Sequence, residues 1–421
     1  MSRKAPRVRR DLEFVPLRHQ GRRMVLIQDG LGLVREGTAV PAELFQVLAL
    51  LDGTRGVTEL ACELTRMQGG ILAQEVDVRR MVEDLDEARL LDSPAYRQAR
   101  DKVRSEFAAH PVRPCTLAGL SYPDEPGELA AWLDQAMANA DTSASPPDPG
   151  ASDAAPGRVN GRLTALVAPH IDPRVGAGVY GRAYAAARGA TPDRVIVLGV
   201  GHSLVDGLIC ITEKHFETPL GTVVNDVDLT RALAAAGRGL SSPDDFAHRR
   251  EHSIEFQVVY LQRVLAGHEP RIVPMLWGSL LGGLPEYSRQ AFVDVAGPLV
   301  AVLRAALSDP TCKTLLVAGV DLSHVGPKFG HECTAQALEL EATTHDRELL
   351  DLLAALDADG FWEESVRVQD RYNVCGFAPL ACLLEVLAGM RGVHGQVLGY
   401  QFQHEPATQS AVGFGAMKFS R

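Results

Sequence analysis

Apolar and polar positions alternate differently in the two parts of this chain. Between residues 12 and 40, short alternating segments separated by turn residues predict two or three strands. Stretches with the spacing of helices follow them, at residues 41–51, 57–67 and 71–91. Residues 1–110 are therefore predicted to form a small α+β module.

Beyond residue 160, continuous apolar runs alternate with helical stretches. The runs LTALVA (163–168), RVIVLGV (194–200) and TLLVAGV (314–320) are typical of strands that are covered on both faces. The predicted helices of this part lie at residues 128–138, 181–187, 253–265, 292–307 and 377–387. A closing strand pair is predicted at residues 397–402 and 411–419. The pattern predicts an α/β domain over residues 111–421, with a largely parallel central sheet flanked by helices.

Residues 141–159 consist almost entirely of Ala, Ser, Pro, Asp and Gly. Such a composition buries too little apolar surface to offset the entropy of ordering, so a flexible loop is predicted there.

Composition excludes several classes of protein. The seven cysteines are scattered without a Cys-x-x-Cys pair, which argues against a disulfide framework or a zinc ribbon. No apolar run approaches the ~20 residues that a bilayer requires, so a soluble, cytoplasmic protein without membrane contact is expected. The net charge of −11 disfavours a nucleic-acid partner, because binding phosphates requires clustered Lys and Arg.

Each of the three apolar runs leads directly into a polar cluster. Pro169-His170-Ile171-Asp172 follows the first run, Gly201-His202-Ser203 the second, and Asp321-Leu322-Ser323-His324 the third. Parallel strands bring their carboxyl ends to one edge of a sheet, where ligands of α/β proteins bind. The sequence therefore predicts that His170, His202 and His324 share one site.

Two further motifs carry candidate chemistry. Cys375 directly precedes the predicted helix that begins near Phe377, where the helix dipole is expected to lower the thiol pKa. Cys375 is thus a candidate nucleophile or metal ligand. His252 and Glu255 lie three apart on another predicted helix and should project from one face.

The motifs APHIDP, LGVGHS, REHSIEFQ, VAGVDLSH and NVCGFAPL, in this order, resemble those of the Memo family, also grouped as AmmeMemoRadiSam system protein B. The resemblance covers residues 113–421. It implies a fold similar to class III extradiol dioxygenases, which use non-haem Fe(II). It also implies metal contact from His170, His202 and Cys375, with Asp321 and His324 lining the same pocket. His252 and Glu255 match a further family motif near that site, as outer groups or substrate contacts.

One departure from the family pattern concerns Asp172. Many members continue after the first histidine with Ala-Gly-Tyr, whereas this chain has Ile171-Asp172-Pro173. The added carboxylate has four open roles: orienting His170, contacting a substrate cation, binding metal, or forming the turn before Pro173.

The donor set favours a catalytic metal site. Two imidazoles and one anionic ligand leave coordination positions open for water, dioxygen or substrate. Fe(II) is the first choice of divalent metal, and the soft thiolate also suits Zn(II) or copper. With iron, His324 would act as general base or acid, and Asp321 would set its orientation. We expect a dioxygenase-like oxidoreductase acting on a small molecule or a modified peptide.

Two other functions remain open at this point. The chain could bind metal, or act as a scaffold, without turnover, or it could be a hydrolase in which bound water is the reagent.

The module at residues 1–110 resembles winged-helix domains of the PqqD-like type in the segments LLDGTRGVTELACEL and LDEARLL. Peptide binding, DNA reading and simple packing or dimerisation are its alternatives. A PqqD-like module would imply a peptide substrate. The genes that neighbour those of the family imply a radical-SAM partner protein.

Overall fold

The computed structural model describes residues 4–142 and 161–421, and the chain divides into two compact units. The first comprises the chain up to Ala109 together with Glu405–Ser410, and the second comprises His110–His404 and Ala411–Arg421. The flexible loop predicted at 141–159 falls almost entirely outside the described residues.

The first unit is an antiparallel sheet followed by helices. Its strands pair in the order β1-β2-β3. Its elements are β1 (Leu12–His19), β2 (Arg22–Asp29), β3 (Ala39–Pro41), α1 (Ala42–Leu50), α2 (Val57–Met67), α3 (Glu75–Glu87) and α4 (Pro94–Ala109). The helix α4 was not expected from the sequence. The resemblance of this unit to a winged-helix domain stays a prediction.

A buried ion pair anchors the start of the first unit. The Arg9 guanidinium, fully buried, donates to Asp29 at 2.6 Å and rests on the Tyr96 ring. Asp29 also accepts the backbone N–H groups of Leu31, Leu33 and Val34. Burial alone would raise the pKa of Asp29, but Arg9 and these N–H groups lower it.

The second unit alternates strands with helices. In chain order its elements are β4 (Val112–Arg113), α5 (Pro126–Thr142), β5 (Leu163–Ala168), α6 (Pro173–Ala185), β6 (Arg194–Val200), β7 (Ile209–Ile211), β8 (His215–Thr218), β9 (Gly221–Val223), α7 (Val227–Ala236), α8 (His252–Val264), β10 (Arg271–Trp277), α9 (Arg289–Ser308), β11 (Thr314–Gly319), β12 (His324–Val325), α10 (Ala335–Ala355), α11 (Ala358–Val368), α12 (Phe377–Ala388), β13 (His394–Glu405) and β14 (Ser410–Ser420).

The large sheet of this unit is mixed. Its order among the described residues is β12-β14-β5-β11-β6-β10-β7, and β13 pairs with β14. The central strands β5, β11, β6 and β10 are parallel, whereas β14 and β7 join them antiparallel. Apolar side chains from the two faces of this sheet enter two separate buried clusters, one with α9 and α12 and the other with α6 and α8. A small second sheet, β4-β8-β9, lies in the same unit.

The central strand β10 was not predicted from the sequence. Pro274 interrupts its apolar run, and proline is disfavoured inside a sheet because it has no N–H to donate. In the structure β10 pairs with β6 over its whole length but with β7 only at Met275–Trp277. Pro274 therefore lies where one side of the strand lacks a ladder partner in the described sheet.

The helix α6 also differs from the prediction, because it begins eight residues earlier than expected. Asp172 caps it and Pro173 occupies its first turn. Gly176 lies inside it, close to Ile171 and Tyr180, so this glycine serves helix packing.

The helix α9 is long and apolar enough to cross a membrane by length and composition alone. Core helices pass the same test, and α9 buries Phe292, Leu299 and Leu303 in the main apolar cluster. A single such helix is a weak indication of a membrane span. The soluble, cytoplasmic location expected from the sequence stays a prediction.

The buried His248 makes the stability of the second unit depend on pH. It is 1% exposed, and its Nε2–H donates to the Cys210 carbonyl at 3.0 Å. Burial lowers its pKa to about 4. The neutral ring therefore contributes stability above the unfolded-state pKa of about 6.5, and this contribution is lost as the pH falls toward 4.

Between pH 7.5 and pH 5, we expect the free energy of unfolding of the variant His248→Gln to fall by about 2 kcal/mol less than that of the wild type. The reason is that the variant no longer takes up a proton at this position when it unfolds. Urea unfolding at a series of pH values measures this difference. The exposed histidine variant His268→Gln is the control and should follow the wild-type curve. Parallel curves for His248→Gln and the wild type would contradict this account.

Candidate metal centre

The carboxyl ends of three parallel strands carry the site. His170, His202 and Asp321 each stand two residues beyond the last residue of β5, β6 and β11, respectively. Since these strands are neighbours in the sheet, the three loops emerge side by side. The edge predicted from the sequence is therefore present in the structure.

Two imidazoles and one sulfur converge at this edge. One ligand atom each from His170, His202 and Cys375 lies within 4.8 Å of the other two. The Sγ atom of Cys375 is 3.3 Å from Nε2 of His170, and the centroids of the two imidazole rings are 5.0 Å apart. These residues are separated by up to 205 positions in the chain, so only the fold brings them together.

His170 is fixed by the last residue of β11 and by the loop that follows it. Its Nδ1 is 3.0 Å from the Gly319 carbonyl, and its backbone N–H donates to Oδ1 of Asp321 at 2.9 Å. A carbonyl can only accept, so Nδ1 carries the proton and Nε2 presents its lone pair toward Cys375. Glycine is required at position 319 because a β-carbon there would collide with the Ser253 carbonyl.

Glu251 fixes the second imidazole. Its carboxylate lies 3.0 and 3.1 Å from Nδ1 of His202 and accepts the His202 backbone N–H at 3.0 Å. The same carboxylate caps α8 by accepting the Ser253 N–H at 2.9 Å. Nδ1 of His202 is thereby the donor, and its Nε2 stays available as a ligand atom.

Glu251 holds His252 as well. Nδ1 of His252 is 3.3 Å from the carboxylate, and the His252 ring stacks on His202 with centroids 4.7 Å apart. Burial alone would raise the pKa of Glu251, but the two imidazoles keep it well below its usual value. Ligand atoms of His202, Glu251 and His252 also lie within 4.8 Å of one another.

No role for Glu251 was predicted from the sequence. The usable signal was a carboxylate two residues before the predicted helix at 253–265 and beside a histidine, where an N-terminal cap can lie. Its pairing with His202, 49 positions away, had no local signal.

Cys375 departs from expectation in its acidity. Burial raises the pKa of its thiol well above the usual value, and the Asp321 carboxylate adds to the rise. The prediction that the thiol pKa is lowered, which favoured a thiolate, is therefore wrong for the metal-free chain. A bound divalent cation would reverse this balance, because the thiol must lose its proton on ligation.

Asp321 and His324 do not pair as predicted. Asp321 contacts His170, through the backbone N–H and at 3.7 Å from Nε2, and burial raises its pKa to about 7. Nδ1 of His324 instead donates to the Leu322 carbonyl at 2.9 Å. Burial lowers the pKa of His324 to about 4, with a further contribution from nearby His202. His324 is therefore neutral at neutral pH, which excludes it as an acid there and makes it a weak base.

Glu255 turns away from the imidazoles. It forms a fully buried pair with Arg113, and it also accepts from Tyr122 Oη at 2.5 Å and from the Leu117 N–H at 2.9 Å. Although His252 and Glu255 lie three apart on α8, the carboxylate beside the His252 ring is that of Glu251. Glu255 instead links α8 to the segment after β4, through its hydrogen bonds with Leu117 and Tyr122.

Asp172 serves the helix α6 rather than His170. Its carboxylate accepts the Arg174 N–H at 2.9 Å, pairs with the Arg174 guanidinium at 2.7 Å and accepts from Ser121 Oγ at 2.9 Å. The orienting role considered for it belongs to the Gly319 carbonyl. Of the four roles proposed for Asp172, the structure shows the turn before Pro173.

A cavity of about 290 Å³ opens beside the three converging side chains, and His202 and Cys375 line it. Most of its remaining wall is apolar, formed by Leu204, Trp277, Leu280, Tyr287, Val374 and Phe377. Its size lies just below the range for small-molecule pockets, about 300–1,000 Å³.

The donor set fits a divalent metal. Both imidazoles have Nδ1 held by an acceptor and Nε2 available, which is the usual arrangement of metal-binding histidines. One soft sulfur and two nitrogens suit Fe(II), Zn(II) or copper and do not distinguish among them.

A family model described as a Memo-like protein matches residues 113–418. The chain belongs to the Memo family. A MEMO1 family protein of Aquifex aeolicus is 27% identical over 414 residues, which cover 98% of this chain and 99% of that protein. One from Thermus thermophilus is 30% identical over 351 residues, covering 83% and 94%. Another, from Methanopyrus kandleri, is 28% identical over 311 residues, covering 72% and 98%.

Membership of the Memo family assigns no reaction, since the names of these relatives state none. The family match begins at residue 113. The PqqD-like character of residues 1–110 and the radical-SAM partner therefore stay predictions.

We expect the variant Glu251→Gln to bind metal about 10–100-fold more weakly, the usual cost of losing an outer partner of a histidine ligand. Glutamine retains an acceptor for the Ser253 N–H, but it lacks the charge that holds His202 and His252. Competition with a chromogenic chelator measures the affinity. The matched control Asp172→Asn should bind within about twofold of wild type, far below that cost, since Asp172 contacts neither imidazole ring. Equal affinities for Glu251→Gln and wild type would contradict this role.

Proposed function

We propose that this Memo-family chain is a metal-dependent oxidoreductase that uses His170, His202 and Cys375 to hold non-haem Fe(II). The observation that carries the proposal is the convergence of their three ligand atoms within 4.8 Å at the carboxyl edge of the sheet. Three protein ligands leave coordination positions open, which is typical of catalytic rather than structural sites.

The cavity beside the ligands supports a small substrate or a single side chain of a modified peptide. Its apolar wall excludes water from the reacting end, and His202 and Cys375 form its inner boundary. When bound, Fe(II) would supply redox chemistry with dioxygen at the open positions.

The protein groups around the site have distinct tasks in this proposal. Gly319 and Glu251 fix the two imidazoles through Nδ1. Asp321 holds the backbone of His170. His324, neutral and with Nδ1 already donating, accepts a proton at Nε2.

Anaerobic purification followed by metal analysis and oxygen uptake on a panel of catechols tests the proposal. We expect near-stoichiometric iron and oxygen consumption that is lost in the variant His170→Ala. Full occupancy by zinc with no oxygen consumption would contradict it and favour a hydrolase, whose reagent is bound water. Metal binding without any turnover would favour the scaffold.

The partners proposed from the family resemblance need a separate test. We propose that residues 1–110 bind a peptide rather than DNA, because residues 11–110 hold 13 Lys and Arg against 17 Asp and Glu. Fluorescence titration with peptides encoded beside the gene, against duplex DNA, decides between them. Tight, salt-sensitive DNA binding would overturn this proposal. Co-purification with a radical-SAM protein encoded nearby tests the partner.

A further inference from the structure

A carboxylate without a cationic partner lines the cavity beside the metal centre. Asp370 contributes to the same wall as Cys375, Tyr287 and Phe377. Its Oδ1 accepts the Val374 N–H at 3.0 Å, and among the described residues no Lys, Arg or His forms an ion pair with it. In a largely apolar wall, a carboxylate that has no cation of the protein beside it offers a counter-charge to a cationic ligand.

The backbone around Asp370 supports a functional role. Gln369, Asp370 and Asn373 all adopt positive φ angles, of 52°, 53° and 49°. Left-handed conformations of residues other than glycine cost energy and tend to cluster at binding sites. The Asn373 side chain secures this turn by donating to the His324 and Phe329 carbonyls, at 3.1 and 3.3 Å.

Asp370 shares one wall of the cavity with Tyr287 and Cys375. Tyr287 is itself committed to Ser365, with the two hydroxyl oxygens 2.6 Å apart. The same wall therefore carries a carboxylate, that of Asp370, beside aromatic side chains.

We propose that the cavity binds a compact aromatic molecule carrying a protonated amine, with Asp370 as the counter-charge of the ammonium group. The aromatic rings of Trp277, Tyr287 and Phe377 accommodate the apolar body of the ligand. A volume of about 290 Å³ admits one ring and a short chain. This inference names the substrate class for the proposed function. It rests on that function only for the placement of the reacting end of the substrate at the metal centre.

Calorimetric titration of the full-length zinc-loaded protein tests the inference without requiring any turnover. The probes are 2-phenylethylamine, the neutral 2-phenylethanol and the anionic 3-phenylpropanoate. We expect the amine to bind at least about tenfold more tightly than the alcohol, as for a partly buried charge-assisted contact, and the acid not to bind. Equal binding of amine and alcohol, or tighter binding of the acid, would overturn the proposal.

The variant Asp370→Asn isolates the carboxylate, because asparagine keeps an acceptor for the Val374 N–H. We expect it to bind amine and alcohol equally. The variant Asp351→Asn, an exposed acid on α10, removes the same charge elsewhere and should keep the wild-type preference. A preference that survives in Asp370→Asn would overturn the proposal, and if that variant unfolds, the wild-type probe series decides alone.

A fourth probe, the dipeptide amide Phe-Gly-NH₂, identifies the source of the amine. Binding as tight as that of 2-phenylethylamine assigns the amine to a peptide N-terminus, and weaker binding assigns it to a free amine. Both results support the ammonium site. The oxygen-uptake assay fails or succeeds independently of these titrations, so failure of the proposed function is distinguishable from failure of this inference.

Discussion

Replacement of Cys375 by serine is expected to weaken metal binding by at least about 100-fold, beyond the usual 10–100-fold cost of losing an outer partner. The serine hydroxyl stays protonated near neutral pH and is a poor ligand for a soft or borderline metal. Cys375 supplies the only sulfur in the ligand group formed with His170 and His202 among the described residues. Chelator competition under anaerobic conditions measures the change.

Cys382 provides the matched control for this experiment. It lies fully buried in the apolar face of α12, and burial raises its pKa far above the usual range, so it is an inert core thiol. We expect the variant Cys382→Ala to lose some stability but to keep wild-type metal affinity. If Cys375→Ser kept its affinity, or if Cys382→Ala lost it equally, the assignment of Cys375 as a ligand would be wrong.

Removal of the Arg113 side chain is expected to cost about 3–5 kcal/mol of stability, the usual effect of stranding one partner of a buried ion pair. The Arg113 and Glu255 side chains are 0% and 1% exposed, respectively. The guanidinium also donates to the carbonyls of His248 and Glu251, at 2.9 and 2.8 Å. The variant Arg113→Met therefore leaves the buried Glu255 carboxylate without its counter-charge and three carbonyls, including that of Pro114, without this donor. Urea unfolding of the second unit measures the loss.

The exposed pair between Arg263 and Asp134 serves as the comparison. Its atoms approach to 2.6 Å, but the side chains are 34% and 50% exposed. Water screens such pairs, so Arg263→Met should cost less than about 1 kcal/mol. A double variant, Arg113→Met with Glu255→Gln, should recover part of the loss because the stranded charge is gone. A cost below about 1 kcal/mol for Arg113→Met alone would contradict the buried-pair account.

The core of the sheet was predictable because its signal is local. A strand that is covered on both faces needs apolar residues throughout, so three of the four central strands appear as unbroken apolar runs. The fourth, β10, carries Pro274. A proline is tolerated there because β7 is too short to pair with that position, and no local pattern in the sequence reveals this. The three strands that were found sufficed to place His170 and His202 at one edge.

The partners of the site residues were not predictable from spacing. His252 and Glu255 share a helix face, yet His252 pairs with Glu251, and Glu255 with Arg113, 142 positions away. Likewise, the acidity of Cys375 was misjudged because its position before a helix is visible in the sequence, whereas its burial beside Asp321 is not. Local spacing identifies which residues carry chemistry, and tertiary packing decides which partner each one has.

X-ray absorption spectroscopy of the anaerobically isolated holoprotein tests the central claim most directly. The account predicts one sulfur and two imidazole nitrogens bound to one metal, with distances near 2.3 and 2.0–2.1 Å if it is zinc. The sulfur contribution should vanish in Cys375→Ser and persist in Cys382→Ala. A first shell without sulfur, or one unchanged in Cys375→Ser, would contradict the claim that His170, His202 and Cys375 hold a common ion.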